Sequence, residues 1–173
     1  TQLLLSLFPL LVAQTLFLQL ANKADQLLIK NFVSPDIFGQ YTIAMRMIEF
    51  STFIPVAIHA SYLPFLTKAF VADYKLYISK SENYFHIMLY IALIISVFVF
   101  FTGEYLISAL FGTAYTTAGR IFSFGVFKII FHYLLFAISS YFVVHSLHKK
   151  FLFFLVISSL LHISFSYYGV KYY

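Results

Sequence analysis

The 173-residue sequence contains no cysteine. That excludes a disulfide framework, an iron–sulfur cluster and a thiolate zinc site. Charge is nearly as scarce: Asp, Glu, Lys and Arg make up 10% of the residues, against roughly a quarter in a soluble domain. A soluble globular protein is thereby excluded. Catalytic motifs are missing too. No Gly-x-Ser-x-Gly occurs, no glycine-rich phosphate loop follows a strand, and no two carboxylates are spaced as an acid/base pair. No internal repeat with a period of about 20–50 residues is visible.

What is present is apolar. Hydrophobic residues make up 62% of the chain, and the mean hydropathy is +0.91. A stretch of about 18 apolar residues crosses the hydrocarbon core of a bilayer, and five such segments occur, at 3–28, 38–68, 84–111, 120–148 and 151–168. The expected fold is therefore all-α, a polytopic transmembrane bundle of about five spanning helices forming one domain over residues 1–173. Pro35 excludes a helical conformation at Ser34 and so places a turn between the first two segments. Pro55 interrupts the second and is expected to kink it, freeing a backbone carbonyl for a neighbouring helix to satisfy. The stretch 73–83, with Lys75, Lys80 and Glu82, reads as a surface loop, 112–119 as a Gly- and Thr-rich connection, and Gly169 as the end of the fifth helix. The chain opens at Thr1 without an initiator Met or a basic leader, which reads as an internal fragment of a longer protein.

Eleven Lys and Arg against six Asp and Glu leave a net charge of +5. In a soluble protein that excess suggests nucleic acid. Here the basic residues sit mostly in connections, as membrane topology requires, and no nucleic-acid partner is expected. Short loops make neighbouring helices antiparallel, which puts Lys68, Lys75, Lys80, Lys149 and Lys150 on one side and Lys30, Arg120 and Lys171 on the other. The positive-inside rule assigns the first group to the cytoplasm, so the first helix enters from there.

Polar residues inside the apolar segments carry the functional information, because a charge at a helix centre costs about 2.5–3.5 kcal/mol on insertion scales. In 120–148, Gly125, Lys128, His132, Ser139 and Ser146 fall on one stripe of a helix turning about 100° per residue. Lys128 has two readings, a cavity cation or a long stem reaching back to the interface. In 151–168, Ser158, Ser159, His162 and Ser166 share a sector; the serines suit interhelical packing, and His162 suits either a ligand or a structural histidine. In 3–28, Gln14, Thr15, Asn22, Asp25 and Gln26 form a broad polar sector that needs a polar or wet neighbour. In 38–68, Thr42, Arg46 and Glu49 share a face. Arg46 and Glu49 either neutralise one another one turn apart or face a cavity in which Arg46 binds an anion. Because Glu49 has Arg46 nearby, whereas Lys23 lies on a different face from Asp25, Asp25 is the stronger of the two coupling-ion candidates for a proton or sodium. His145 and His148 could present two metal ligands, but no third accompanies them. No metal or cofactor is expected.

The series Asp25-Gln26-Leu27-Leu28-Ile29, Gly39-Gln40-Tyr41-Thr42-Ile43-Ala44-Met45-Arg46, Pro55 and Leu63-Pro64 resembles the first helix pair of the C-terminal half of lipid-linked oligosaccharide flippases. These are the O-antigen and polysaccharide biosynthesis transporters of the multidrug/oligosaccharidyl-lipid/polysaccharide exporter superfamily. Tyr167-Tyr168-Gly169-Val170 is similar to that family's exit from its penultimate helix. The resemblance implies two six-helix bundles around a central cavity, this chain being the second bundle without its last helix. His162 departs from the Asn often found near that position in the family. The implied function is a bacterial inner-membrane flippase, not an enzyme, that moves an undecaprenyl-diphosphate-linked oligosaccharide between leaflets. Arg46, Lys128, His132, Gln14 and Asn22 would line the diphosphate and glycan cavity, with Asp25 and Glu49 as coupling-ion candidates. The expected partners are the lipid-linked substrate, membrane lipids, the N-terminal bundle of the same chain and polysaccharide assembly proteins. Three alternatives stand beside it: a cation-coupled multidrug exporter of the same superfamily, which would favour a more acidic cavity, part of a polytopic envelope-glycan enzyme, which would need a catalytic loop, and a purely structural membrane subunit, which would leave the charged helix faces unexplained.

Overall fold

The computed structural model describes the backbone of residues 2–172 and the side chains of 8–20 and 23–169. Among the described residues the chain is helical with no strand. Four helical stretches are long and apolar enough to cross a membrane, Pro35–Ala72, Tyr74–Phe111, Phe127–Val144 and His148–Gly169. Large apolar side chains such as Phe98, Phe101, Phe124 and Phe131 are exposed. This is the inverted surface of a protein solvated by lipid. The expectation of an all-α, multi-pass membrane protein holds.

The chain divides into two compact units, residues 39–144 and the two ends, 1–38 with 145–173. In the unit formed by the ends, α1 (Gln2–Ile29) packs along α7 (His148–Tyr172). Residue numbers rise together along their contact, Gln14 meeting His148 and Asp25 meeting His162, so the two helices run parallel. Gly169 does not end α7, which continues to Tyr172.

The central unit is built from α2 (Pro35–Ser51) from Gly39 onward, α3 (Phe53–Ala72), α4 (Tyr74–Phe111), α5 (Thr116–Gly125) and α6 (Phe127–Val144). The turn before α2 is the expected one. Pro35 takes the first helical position, where no N–H is needed, and the Ser34 hydroxyl accepts from the Ile37 N–H at 3.4 Å. The Pro55 interruption falls at Thr52, between α2 and α3. A proline at 55 has no N–H for the Ser51 carbonyl four residues earlier, and the Tyr133 hydroxyl of α6 donates to that oxygen instead, at 3.2 Å.

Residues 73–83 are a helix rather than a surface loop. Asp73 alone makes the turn, in extended conformation, and its carboxylate accepts from the Lys75 N–H at 2.9 Å. Tyr77, Tyr84 and Met88 then recur at helical spacing on the buried side of α4, and Tyr77 meets Phe70 of α3 edge to face. Lys75, Lys80 and Glu82 occupy the exposed side. Local polarity suggested a loop, but the buried tyrosines decide the helix. With 38 residues, α4 is about 57 Å long at 1.5 Å per residue, well beyond the roughly 30 Å hydrocarbon core.

The 112–119 connection is shorter than expected. Gly112, at φ 95°, ends α4 in a conformation that favours glycine; a single 3-10 turn, Thr113–Tyr115, follows, and α5 begins at Thr116. Gln40 of α2 accepts from the Ala118 N–H at 3.1 Å and so satisfies one of the open donors at the start of α5. Gly119 lies against the backbone of Glu104, and Gly103 against Phe122 and Ser123. These small residues let α4 and α5 approach closely.

Candidate functional site

Among the described contacts in the unit formed by α1 and α7, two are polar and join the helices. Gln14 is buried, and its Nε2 donates to the His148 carbonyl at 2.7 Å. The His148 carbonyl belongs to the first turn of α7. Farther along, Asp25 Oδ1 lies 3.9 Å from His162 Nε2. Thr15, from the same polar sector of α1, is exposed and returns its hydroxyl to the Leu11 carbonyl at 2.9 Å. Asn22 lies outside the described side chains. Ser159 likewise bonds its own helix, at the Leu155 carbonyl.

In the central unit, the packed face of α2 carries Ala44, Met45 and Ile48. Arg46 is exposed and points away from that face, with Glu49 half-buried on the flank. On α6 the core positions are Ile129, Tyr133, Ala137, Ser140 and Val144. Lys128, His132 and Ser139 form a half-buried stripe beside that core. The stripe is shorter than its sequence spacing implied. A break at Val126 separates Gly125 from α6, and Ser146 lies past the end of the helix at φ 55°. Gly125 instead packs against Ile48, where an added Cβ would stand 2.6 Å from Cδ1. The Ser96 hydroxyl of α4 donates to the Val126 carbonyl at 3.3 Å, satisfying an acceptor at this second helix break.

The structure thus pairs Asp25 with His162. It leaves the cation candidates on separate helices of the central unit, Arg46 on α2 and Lys128 on α6. Among the described residues no group of three or more His, Asp or Glu could hold a metal ion.

Sequence reasoning overlooked His59. Its Nδ1 is 2.8 Å from the Tyr84 hydroxyl, its ring lies 5.6 Å from Phe136, and Tyr62 stacks on Tyr84 at 5.0 Å. The pair joins α3 to α4 inside an otherwise apolar core. A signal was available, because any ionisable residue within an apolar span calls for a partner. Also unforeseen is an open cleft of about 480 Å³ between α4 and α6, lined by residues including Tyr77, Glu82, His86, Ile138 and Tyr141. No single sequence segment contains both of its walls.

Residues 2–120 match the family described as polysaccharide biosynthesis protein. The chain belongs to that family. The matched region runs from α1 through the first turns of α5 and includes Gln14, Asp25, Arg46 and Glu49. Lys128, His132 and His162 follow it. No curated protein and no solved structure matches the chain. Family and fold together make this a multi-pass membrane protein of polysaccharide biosynthesis.

Proposed function

We propose that the chain is the second bundle of a bacterial inner-membrane flippase that moves an undecaprenyl-diphosphate-linked oligosaccharide from the cytoplasmic to the periplasmic leaflet by alternating access. The observation that carries this reading is Arg46, an exposed arginine on a membrane-crossing helix, turned away from the core of its own unit. A cation there is expensive in lipid, so it calls for a hydrated cavity or an anionic partner. A guanidinium remains charged when desolvated and offers a planar fork to phosphate oxygens, which fits a diphosphate. Lys128 and His132 supply further polar character on α6, while the prenyl tail stays in lipid. Gln14 is engaged in the α1–α7 contact, so the diphosphate assignment rests on Arg46. The helix ends that carry Lys68, Lys75, Lys80, Lys149 and Lys150 are cytoplasmic in this reading.

The test is surface glycan display in cells lacking the native flippase and complemented with full-length variants. Arg46→Ala should abolish nearly all display and Arg46→Lys much of it. Insertion should survive both, because removing a costly charge does not harm it. Normal display by Arg46→Ala at matched protein level would refute the assignment.

A further inference from the structure

We infer that the cleft between α4 and α6 binds a membrane phospholipid with a primary-ammonium headgroup, the ammonium meeting Glu82 and an acyl chain entering the cleft. The inference goes beyond the flippase reading and does not depend on it. The cleft encloses about 480 Å³, within the ~300–1,000 Å³ of typical small-molecule sites. On α4 it is walled by two adjacent rows at helical spacing, Tyr77, Ser81 and Phe85 in one and Ile78, Glu82 and His86 in the other. Tyr77 is buried, whereas Ile78, Glu82 and His86 are exposed. On α6, buried Ala137 and Ser140 lie behind exposed Ile138 and Tyr141. The Ser140 hydroxyl donates to the Ala137 carbonyl of its own helix at 2.7 Å, so the cleft is apolar there.

Depth sets what can enter. Glu82 and Glu104 bracket the stretch of α4 that carries no Asp, Glu, Lys or Arg. They stand 22 residues apart in the sequence, which is about 33 Å along the helix axis at 1.5 Å per residue, close to the roughly 30 Å hydrocarbon core. The two carboxylates therefore mark the two surfaces of the bilayer on this helix, and the cleft opens where headgroups give way to acyl chains. Phe85, Ala137 and Ile138 lie on the hydrocarbon side of Glu82, because α6 runs antiparallel to α4. An amphiphile fits this order, a polar head at Glu82 and an aliphatic chain below it.

Charge selects the head. The Glu82 carboxylate has no ion-pair or hydrogen-bond partner among the described residues. Lys80 is two residues away and so projects from another face of α4. Lys75 is on the same side about two turns nearer the helix start, where it can meet the phosphate that every glycerophospholipid carries. Discrimination therefore falls to Glu82. A primary ammonium can donate charge-assisted hydrogen bonds to the carboxylate, a quaternary one has no N–H to donate, and a glycerol headgroup brings no positive charge.

The sequence contains no Trp, so Ile138→Trp places a reporter at the cleft, read as the difference from the unsubstituted full-length protein. The probes are phospholipids brominated in their acyl chains, with ethanolamine, choline or glycerol headgroups and otherwise identical vesicles. The ethanolamine lipid should reach the reporter with a relative affinity about two- to fivefold above the other two, the range of an exposed ion pair. Phe101→Trp, at a position 80% exposed on the same helix, should show no headgroup preference. Glu82→Gln should abolish the preference at the cleft and Glu82→Asp should keep it. Should Ile138→Trp fail to fold, Ile78→Trp reads the opposite wall. Equal quenching by the three headgroups, a preference for the glycerol lipid, a preference that survives Glu82→Gln, or no quenching by any lipid, as when another protein segment fills the cleft, would each overturn the site. Glycan display plays no part in this test, so loss of the flippase reading leaves it standing, and loss of the lipid site leaves the flippase reading intact.

Discussion

The Tyr133 hydroxyl of α6 donates to the Ser51 carbonyl of α2 at 3.2 Å, the oxygen that Pro55 leaves without its usual helical donor. A proline break inside a membrane is tolerated only where another element satisfies the freed carbonyl. This one bond therefore links the kink in the Pro35–Ala72 span to the helix that carries Lys128 and His132.

Tyr133→Phe should destabilise the protein in detergent by about 1 kcal/mol, the usual net value of one hydrogen bond. In a Pro55→Ala background the new N–H can bond Ser51, and the same tyrosine substitution should then have a smaller effect. Equilibrium unfolding of the four variants checks it. Equal effects of Tyr133→Phe in both backgrounds would show that the bond does not serve the break.

Gly119→Ala should be costly. Its Cβ would lie 2.7 Å from Glu104 Cα and 3.1 Å from the Glu104 carbonyl oxygen, which are backbone atoms that can yield only by parting α4 from α5. A loss of about 1–3 kcal/mol is expected for such overpacking. Gly39→Ala is the control, since nothing lies within 4 Å of its added Cβ. It should be neutral or slightly stabilising. Thermal unfolding of the two variants separates them.

Tyr84→Phe keeps the ring stacked on Tyr62 but removes the hydroxyl from His59, and His59→Ala leaves a fully buried tyrosine hydroxyl without its partner. Each should cost about 1–3 kcal/mol. The double variant should lose less than the sum, because the second change removes a group already unpaired. Strict additivity in unfolding measurements would mean the bond contributes no coupling.

Lys128→Ala should reduce glycan display by about tenfold or less, equivalent to about 1.4 kcal/mol. Lys128 is half-buried on the flank of α6, and its long stem can reach toward the interface. Its loss should therefore be milder than that of Arg46→Ala, and Lys128→Arg should restore display. A complete loss with Lys128→Ala would exchange the ranks of the two cations.

What the sequence by itself determined was the part governed by local chemistry. Scarce charge and long apolar segments require helices that satisfy their own backbone in lipid. Pro35 and Pro55 lack an N–H wherever they are placed, so the turn at Ser34 and the break near Pro55 were legible from residue identity alone. The tertiary structure decided which groups meet. Asp25 and His162 are 137 positions apart, so only the parallel pairing of α1 with α7 could bring them together. His59 finds Tyr84 because α3 folds back along α4, and Gly119 acquires its meaning from the Glu104 backbone beside it. The same packing made 73–83 helical by burying Tyr77, and it cut the α6 stripe short before Ser146. Sequence periodicity places a residue on one side of its own helix, but which neighbour occupies that side depends on how all the helices share their buried surface.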